Sequence, residues 1–552
     1  MGAMENAPGE TAGGTLIRMM HDTVAVDAGV PERRGPGLLY WVLTVALTGY
    51  VAFCTTHRDN IRDADAWEHH RAIVALTQDL RNPGNPTYPG DIPSIRYSPY
   101  VLVQAALCRW TGIDPWDMLS AAAVVNTLLL CLGAWAVLAA LGRAPASGLA
   151  LLVMVSVYGV APGYANSYAL TDLPWHQVNP SAFAFGVVLL SWALLLHLRR
   201  RGARWWAWSP LPVMATLALL DHPMTGCLGI LGLAVFSVDL RDFKASVVRS
   251  AVPIGIIVAI AAVLCLLWPW YGFKEALTTR PENSYWYNPA IAQRILAVWC
   301  APALLLSLWC LAGRDRAAVA PLLLGGAAAV AAGLVGIAIK SPTLARIPLA
   351  GLIFFHLAIA VTAHDAGLLG RQAWIDRWKS LRSAGPGSAD AALAVMAVLV
   401  ISYGLVPQAM AIPREPHLAR SYVAPLMGRE NKQCRWRELY RDVLEPVQGR
   451  EVVFADPLTS WPVPSFRGRV MTAWHFEFFV PGQWERWNDA EKFFATDSED
   501  VRAFLLRRYE AKWLLVDEDR LNEKQAAEII REKAVRRRAG PLVLMDANAW
   551  LN

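Results

Sequence analysis

Ionisable side chains interrupt the long apolar stretches of this 552-residue sequence at only a few places. Charges at membrane depth cost free energy and usually serve a function. A carboxylate can take a proton from a hydroxyl group. A guanidinium or ammonium group can neutralise a phosphate, Arg through paired hydrogen bonds and Lys as a point charge. The combination predicts group transfer from a lipid phosphate. The residues concerned are Asp63, Asp65, Glu68, His69, His70, Asp172, His176, Asp221, His222, Lys274, Arg280, Lys340 and Arg346.

Several of these residues also have a structural explanation. Asp63 and Asp65 could be solvated charges on a helix, and Asp172, which precedes Leu-Pro, could cap a helix or form a turn. Lys340 and Arg346 could extend from the ends of apolar segments to the membrane surface. Carboxylates with a histidine could also hold a hard divalent cation. The cofactor is therefore unknown, with a divalent cation as the candidate and no metal ligand assigned.

The ionisable residues lie between apolar segments that are long enough to cross a membrane. The chain is 55% hydrophobic and only 17% charged, whereas soluble domains carry about 25% charged residues. Runs without Asp, Glu, Lys or Arg approach the roughly 17–25 residues that cross a bilayer. We predict a polytopic α-helical membrane protein with about 11 transmembrane helices, which excludes a soluble enzyme. The predicted spans are 35–57, 118–142, 144–171, 173–198, 205–220, 222–238, 250–273, 295–313, 317–339, 347–364 and 391–413.

The distribution of basic residues orients these spans. A twelfth run, 97–108, is too short to cross, and we predict a helix that lies at the surface or re-enters. With eleven spans and a cytoplasmic N-terminus, the cluster Arg199–Arg204 lies in the cytoplasm, as the positive-inside rule requires. The candidate residues then share the outer face. The net charge of +6 comes from short loops, so no nucleic acid is expected as a partner.

Three regions follow from this threading. Residues 1–36 form a disordered cytoplasmic leader, residues 37–413 the membrane domain with a large outside loop at 58–117, and residues 414–552 an extracytoplasmic domain. The last region alternates strands and helices, which predicts a small α/β domain with a partly parallel sheet. Its aromatic stretch, 474–487, could face either the membrane or a substrate. The predicted elements are strands at 451–455, 512–516 and 542–545 and helices at 501–509 and 523–538.

Short motifs in the first outside loop resemble a known superfamily. Asp65-Ala-Trp-Glu-His-His-Arg71 resembles the Asp-Pro-Trp-Phe-Asn-Tyr-Arg segment of oligosaccharyltransferase catalytic subunits and the first-loop Asp of GT-C glycosyltransferases. Arg96-Tyr-Ser-Pro-Tyr100 is similar to the Tyr-Pro-Pro entry into their short surface helix. The next outside loop of that superfamily often contributes a second acidic residue, and Asp172 occupies the corresponding place here. Asp456–Ser460 and Phe466–Arg469 resemble tail segments of bacterial members. The Trp-Trp-Asp tripeptide is absent, which disfavours peptide N-glycosylation, and Asp172 has no Asp-x-Asp partner.

The resemblance implies a hexosyl- or pentosyltransferase of the bacterial inner membrane, distantly similar to aminoarabinose and mannosyl transferases. Its donor would be a polyprenyl-phosphate-linked sugar and its acceptor an envelope glycan, lipid or protein. Asp65 would act as the base of an inverting reaction, with Asp63 and Asp172 as further catalytic candidates. Lys340, Arg346, Arg280 and Lys274 would bind the phosphate. The remaining substrate contacts would be His176, Asp221, His222, Glu68, His69 and Tyr97.

Two other classes of function compete with this reading. A proton-coupled transporter could use Asp221, His222 and Lys340 as a relay, but transporters typically contain internal repeats and this sequence shows none. A non-enzymatic envelope assembly protein would use the tail to bind partners. The clustering of ionisable residues on one face favours the transferase.

Overall fold

The structure is a computed structural model, which describes residues 35–56, 64–156, 168–170, 172–239, 242–278, 316–365, 436–477 and 479–552. The predicted leader, apart from its last two residues, lies outside these described residues. So do Asp63, Arg280 and the predicted spans 295–313 and 391–413.

Six helices within the described residues are long and apolar enough to cross a membrane. This confirms a multi-pass helical architecture, while the count of about 11 spans stays a prediction. Residues 57–63, between α1 and α2, lie outside the described residues, and α12 and α13 form a hairpin. The helices of this part are α1 Leu38–Thr56, α2 Ala64–Gln78, α3 Pro99–Thr111, α4 Pro115–Ala140, α5 Ser147–Ser156, α6 Leu173–His176, α7 Pro180–Arg200, α8 Pro210–Asp221, α9 Pro223–Ser237, α10 Phe243–Leu266, α11 Phe273–Thr278, α12 Arg316–Ala338 and α13 Pro342–Asp365.

Two of the predicted spans are shorter in the structure. Helix α8 has 12 residues and α9 has 15, and a proline opens each one. At 1.5 Å per residue they are about 18 and 22 Å long, less than the roughly 30 Å of a hydrocarbon core. Neither helix crosses a bilayer of that thickness alone.

Small residues let the membrane helices approach closely. A Cβ atom at Gly326 would lie 2.3 Å from the Phe355 ring, so α12 and α13 can pack this tightly only with glycine there. Trp192 of α7 stacks on Phe354 with ring centroids 4.6 Å apart, and its indole N–H donates to the Gly229 carbonyl at 2.9 Å. Close packing of this kind holds helices together where lipid removes the hydrophobic driving force.

The predicted short helix of the first loop is present as α3. The Ser98 side chain caps its first turn, Pro99 follows at the first helical position, and Gly112 ends it at φ +73°. Asp221, at the end of α8, accepts a hydrogen bond from the Tyr100 amide at 2.9 Å. This contact anchors α3 to the membrane domain.

The C-terminal domain contains a five-stranded sheet, which confirms the predicted α/β character and mixed sheet. Its strand order is β2-β1-β3-β5-β4, with β1 parallel to β2 and β3 and with antiparallel pairs β3–β5 and β4–β5. The strands are β1 Val452–Phe454, β2 Arg469–Val470, β3 Trp513–Asp517, β4 Val535–Ala539 and β5 Leu542–Asp546. The helices are α14 Trp436–Val443, α15 Pro457–Ser460, α16 Gln483–Ala495, α17 Glu499–Arg508, α18 Glu523–Ile529 and α19 Ala547–Leu551.

The predicted helix 523–538 is wrong in its second half. Helix α18 ends at Ile529, and residues 535–539 form strand β4 beside β5. The arginines of this segment favour a helix in isolation. Gly540, at φ +56°, instead turns the chain back, and pairing with the buried strand β5 overrides the local preference.

The C-terminal domain packs directly on the first loop. The Ser465 hydroxyl donates to the Trp67 carbonyl at 3.0 Å, the Val470 amide to the Thr87 carbonyl at 2.9 Å, and Arg450 to the Pro83 carbonyl at 3.0 Å. Two segments in contact must lie on the same side of a membrane. The described parts of the first loop and of the C-terminal domain therefore lie on one side, and the number of crossings between them stays a prediction.

Candidate functional site

Helix α2 places two carboxylates of the first loop on one face. Asp65 and Glu68 are three residues apart, a spacing that brings side chains together on a helix. His475 of the C-terminal domain completes the group: its Nδ1 atom lies 2.7 Å from Glu68 Oε1 and 3.6 Å from Asp65 Oδ1. Glu68 is fully buried, whereas the Asp65 side chain is 36% exposed. Asp65 is thus the carboxylate that an incoming molecule can reach.

Two arginines surround the buried carboxylate. Arg96 forms an ion pair with Glu68, and the Arg71 guanidinium lies 3.8 Å from it. Arg71 also lies 3.1 Å from Glu477 of the C-terminal domain. Glu477 accepts further hydrogen bonds from the hydroxyls of Ser94 at 3.1 Å and Thr87 at 3.3 Å. The buried network therefore joins α2, the rest of the first loop and the C-terminal domain.

The electrostatic surroundings keep Asp65 ionised. Burial acts to raise its pKa, but the fields of His475, Arg96 and the neighbouring histidines outweigh burial and lower the pKa to about 2. Burial lowers the pKa of His69 to about 4, so this imidazole is neutral at pH 7. The site thus holds a charged, accessible carboxylate beside a neutral histidine.

Residues from the membrane domain share this electrostatic neighbourhood. The charge of Asp65 acts on His69, His176 and His222, and Arg346 acts on the latter two histidines. The structure therefore brings together six of the predicted site residues, from four separate stretches of the chain. They are Asp65, Glu68, His69, His176, His222 and Arg346.

Other predicted site residues take part in the framework. Asp221 anchors the Tyr100 amide. The buried Tyr97 hydroxyl donates to the Gly84 carbonyl at 2.6 Å, and the His70 ring stacks on Trp116 with centroids 3.9 Å apart. These contacts position the loop.

The last group of predicted site residues lies at helix ends. Asp172 is half-buried at the start of α6, without a capping hydrogen bond from its side chain. Lys274 is exposed on α11, and Lys340 is exposed between α12 and α13 with φ +55°.

Sequence reasoning missed the contributions of His475, Glu477, Arg71 and Arg96 to this site. Arg71 and Arg96 end and begin the two loop motifs, so their position was visible although their role was not. His475 and Glu477 lie in the aromatic stretch 474–487 of the tail. The presence of these two ionisable residues within an aromatic stretch was the signal that could have indicated their part in the site.

The side chains of the cluster include three groups that could bind a metal ion. Ligand atoms of Asp65, Glu68 and His475 lie within 4.8 Å of one another, a spacing that can hold a divalent cation. Arg96 and Arg71 already balance the charge of Glu68, however. A metal ion would have to compete with these guanidinium groups, so arginine is the better-supported counter-charge.

Comparisons with known proteins find likeness in structure alone. No protein-family model matches the sequence, and no curated protein matches it. The archaeal oligosaccharyltransferase AglB from Archaeoglobus fulgidus, in complex with an inhibitory peptide and a dolichol-phosphate, is similar at 10% identity, with 87% of this chain and 70% of that chain covered and a TM-score of 0.44. The apo form of the oligosaccharyltransferase from that organism is 12% identical, with 87% of this chain and 70% of that chain covered and a TM-score of 0.48.

A third solved structure, the same enzyme tethered to an acceptor peptide that contains the NVT sequon, is 12% identical, with 87% and 69% coverage and a TM-score of 0.46. Over most of its length, this chain is similar to archaeal oligosaccharyltransferase structures.

Proposed function

We propose that this protein is an integral membrane glycosyltransferase that transfers a sugar from a polyprenyl-phosphate donor to an envelope glycan, lipid or protein. The observation that carries the proposal is the position of Asp65. It is a partly exposed carboxylate where the first loop, the membrane domain and the C-terminal domain meet, beside His475 and within the field of Arg96. An ionised carboxylate near a guanidinium group can take the proton of a hydroxyl that displaces a phosphate.

The proposed reaction is a single displacement. The acceptor hydroxyl donates its proton to Asp65 while its oxygen attacks the anomeric carbon. The bond between that carbon and the phosphate oxygen breaks, and the electron pair leaves with the polyprenyl phosphate. Attack from the face opposite the leaving group inverts the anomeric centre. Arg346, with Lys340, Lys274 and Arg280 as further candidates, stabilises the developing phosphate charge.

Donor binding would adjust the basicity of Asp65. A pKa of about 2 makes a weak base, since general bases work best with a pKa near the operating pH. A donor phosphate placed beside the site's cations would neutralise part of their field and raise the pKa of the carboxylate. In this account Asp65 becomes an effective base only when the donor is in place.

Binding of the donor phosphate can be tested by substitution of Arg346. We expect Arg346→Ala to weaken donor-lipid binding by about 10- to 150-fold, because a charge-assisted contact contributes roughly 1.5–3 kcal/mol. Arg346→Lys should restore binding only in part, since a point charge lacks the planar fork. Lys340→Ala should have a smaller effect because the ammonium group is exposed and solvent screens it.

The measurement is affinity for polyprenyl-phosphate sugars in nanodiscs. Arg249→Ala is the control, since Arg249, near the start of α10, pairs with Asp242 in a segment predicted to be cytoplasmic. Unchanged affinity in a folded Arg346→Ala protein would remove this residue from the phosphate site and weaken the proposal.

The proposed reaction takes place on the extracytoplasmic side. We expect an alkaline phosphatase fused after Asn552 to be active, because the C-terminal domain and the first loop share one side and the cluster Arg199–Arg204 belongs in the cytoplasm. A cytoplasmic reporter at the same position should be inactive. The reverse pattern would overturn the topology.

A further inference from the structure

The C-terminal domain contains a cleft separate from the Asp65 cluster. Its volume is about 260 Å³, and it lies between α15, α16 and the end of β3. Trp474 and Trp487 form an aromatic wall, with ring centroids 5.3 Å apart and with 36% of Trp474 exposed. Small-molecule sites start at about 300 Å³, so the cleft suits one small unit of a larger ligand.

The polar side of the cleft offers both donors and acceptors. Asp456, Asp517 and Glu491 contribute carboxylates, and Arg520 contributes a guanidinium whose Nε lies 3.2 Å from Asp456 Oδ1. Asp517 is only 7% exposed and accepts a hydrogen bond from the Asp519 amide at 3.2 Å. The Gln525 amide also lines the cleft, where it accepts a hydrogen bond from the Asn522 amide at 3.1 Å and donates one to the Phe494 carbonyl at 3.0 Å.

This mixture of groups selects the ligand class. A phosphate or other anion would face three carboxylates, which repel it. A purely apolar ligand would remove water from those carboxylates without replacing their hydrogen bonds, which is costly. A sugar ring meets both demands: its C–H face stacks on indole rings, and its hydroxyls both donate and accept. The cleft therefore fits a neutral saccharide.

The cleft lies directly behind the proposed catalytic site. Trp474 lines the cleft, while its neighbour His475 lies 2.7 Å from Glu68 in the cluster. Adjacent Cα atoms are about 3.8 Å apart. The Trp461 ring, just after α15, also packs against His475 with centroids 4.7 Å apart. A single stretch of backbone separates the two sites.

We propose that this cleft binds a saccharide unit of the acceptor and holds a glycan beside Asp65. The assignment of the cleft as a saccharide site stands on its own residues, while its role for the acceptor rests on the proposed transferase function. Of the three proposed acceptor classes (glycan, lipid and protein), a saccharide site favours the glycan. Trp474 and Trp487 are the stacking residues, and Asp456, Asp517 and Arg520 bind hydroxyls.

The test is calorimetric titration of the full-length protein in detergent, without donor. The probes are neutral gluco-, manno-, galacto- and arabino-oligosaccharides, with choline as a cationic probe for an aromatic cage. At least one oligosaccharide should bind. Trp474→Ala and Trp487→Ala should weaken it at least tenfold, about 1.4 kcal/mol, and Trp474→Phe should restore part of the loss. Phe504→Ala, which removes a 58% exposed aromatic from α17, should change nothing.

Three results would overturn the proposal: no oligosaccharide binds, choline alone binds, or Phe504→Ala weakens binding as much as Trp474→Ala. Saccharide binding that depends on Trp474, in a protein that never consumes a donor, would support the cleft and contradict the transferase. In a protein that does consume donor, Trp474→Ala should raise KM for the glycan acceptor and leave donor affinity unchanged. An unchanged KM would contradict the acceptor role.

Discussion

Asp65→Asn should lower turnover by about 10²–10⁴-fold, the usual contribution of a general base, and leave the fold intact. The substitution keeps the size of the side chain and removes its ability to take the acceptor proton. If the carboxylate also orients the acceptor hydroxyl, the loss will be larger. The measurement is the initial rate of polyprenyl phosphate release at saturating donor.

Asp91→Asn is the matched control for this variant. The Asp91 side chain is 76% exposed in the same loop and lies 3.7 Å from Arg450, so its loss should leave the rate unchanged. Asp63→Asn provides a second comparison. An active Asp65→Asn protein together with an inactive Asp63→Asn protein would transfer the role to Asp63, and activity in both would refute a base in this loop.

Glu477→Ala should weaken the packing of the C-terminal domain on the first loop. The change leaves the buried Arg71 guanidinium without its 3.1 Å partner and removes the acceptor for Ser94 and Thr87. Breaking a buried ion pair by removing one partner costs about 3–5 kcal/mol. We expect faster proteolysis between the two domains and a lower unfolding temperature.

Two further variants separate charge from packing. Glu445→Ala removes an exposed partner of Arg537 in the same domain and should cost at most about 1 kcal/mol. Arg71→Met combined with Glu477→Leu removes both buried charges, so it should recover much of the stability that Glu477→Ala loses. A Glu477→Ala protein as stable as the Glu445→Ala protein would contradict the role of the buried network.

Local patterns in the sequence predicted the helices and strands better than they predicted the tertiary contacts between them. The strands at 452–454, 513–517 and 542–546 follow from buried apolar runs, and the short helix α3 follows from Ser98-Pro99. The pairing of β4 with β5 depends on a tertiary neighbour, so helix-forming arginines misled the local reading.

The candidate site was predictable only in part, for the same physical reason. Arg346 stands at the end of an apolar run, where an ionisable residue is conspicuous, and Asp65 begins the first of the two loop motifs. His475 contacts Glu68 across more than 400 residues of sequence, and no periodicity carries such information. Glu68 was predicted as a substrate contact, yet it is fully buried between arginines. A sequence cannot distinguish a buried ion pair from an exposed site residue when both occupy one helix face.

The most direct test of the proposed transferase uses purified protein in nanodiscs with a panel of polyprenyl-phosphate sugars and envelope glycan acceptors. Mass spectrometry follows both the lipids and the acceptors. The account predicts that the wild-type protein converts at least one donor to free polyprenyl phosphate, that the acceptor gains the mass of that sugar, and that Asp65→Asn does neither. Intact donors with the wild-type protein, or equal conversion by the Asp65→Asn protein, would contradict it.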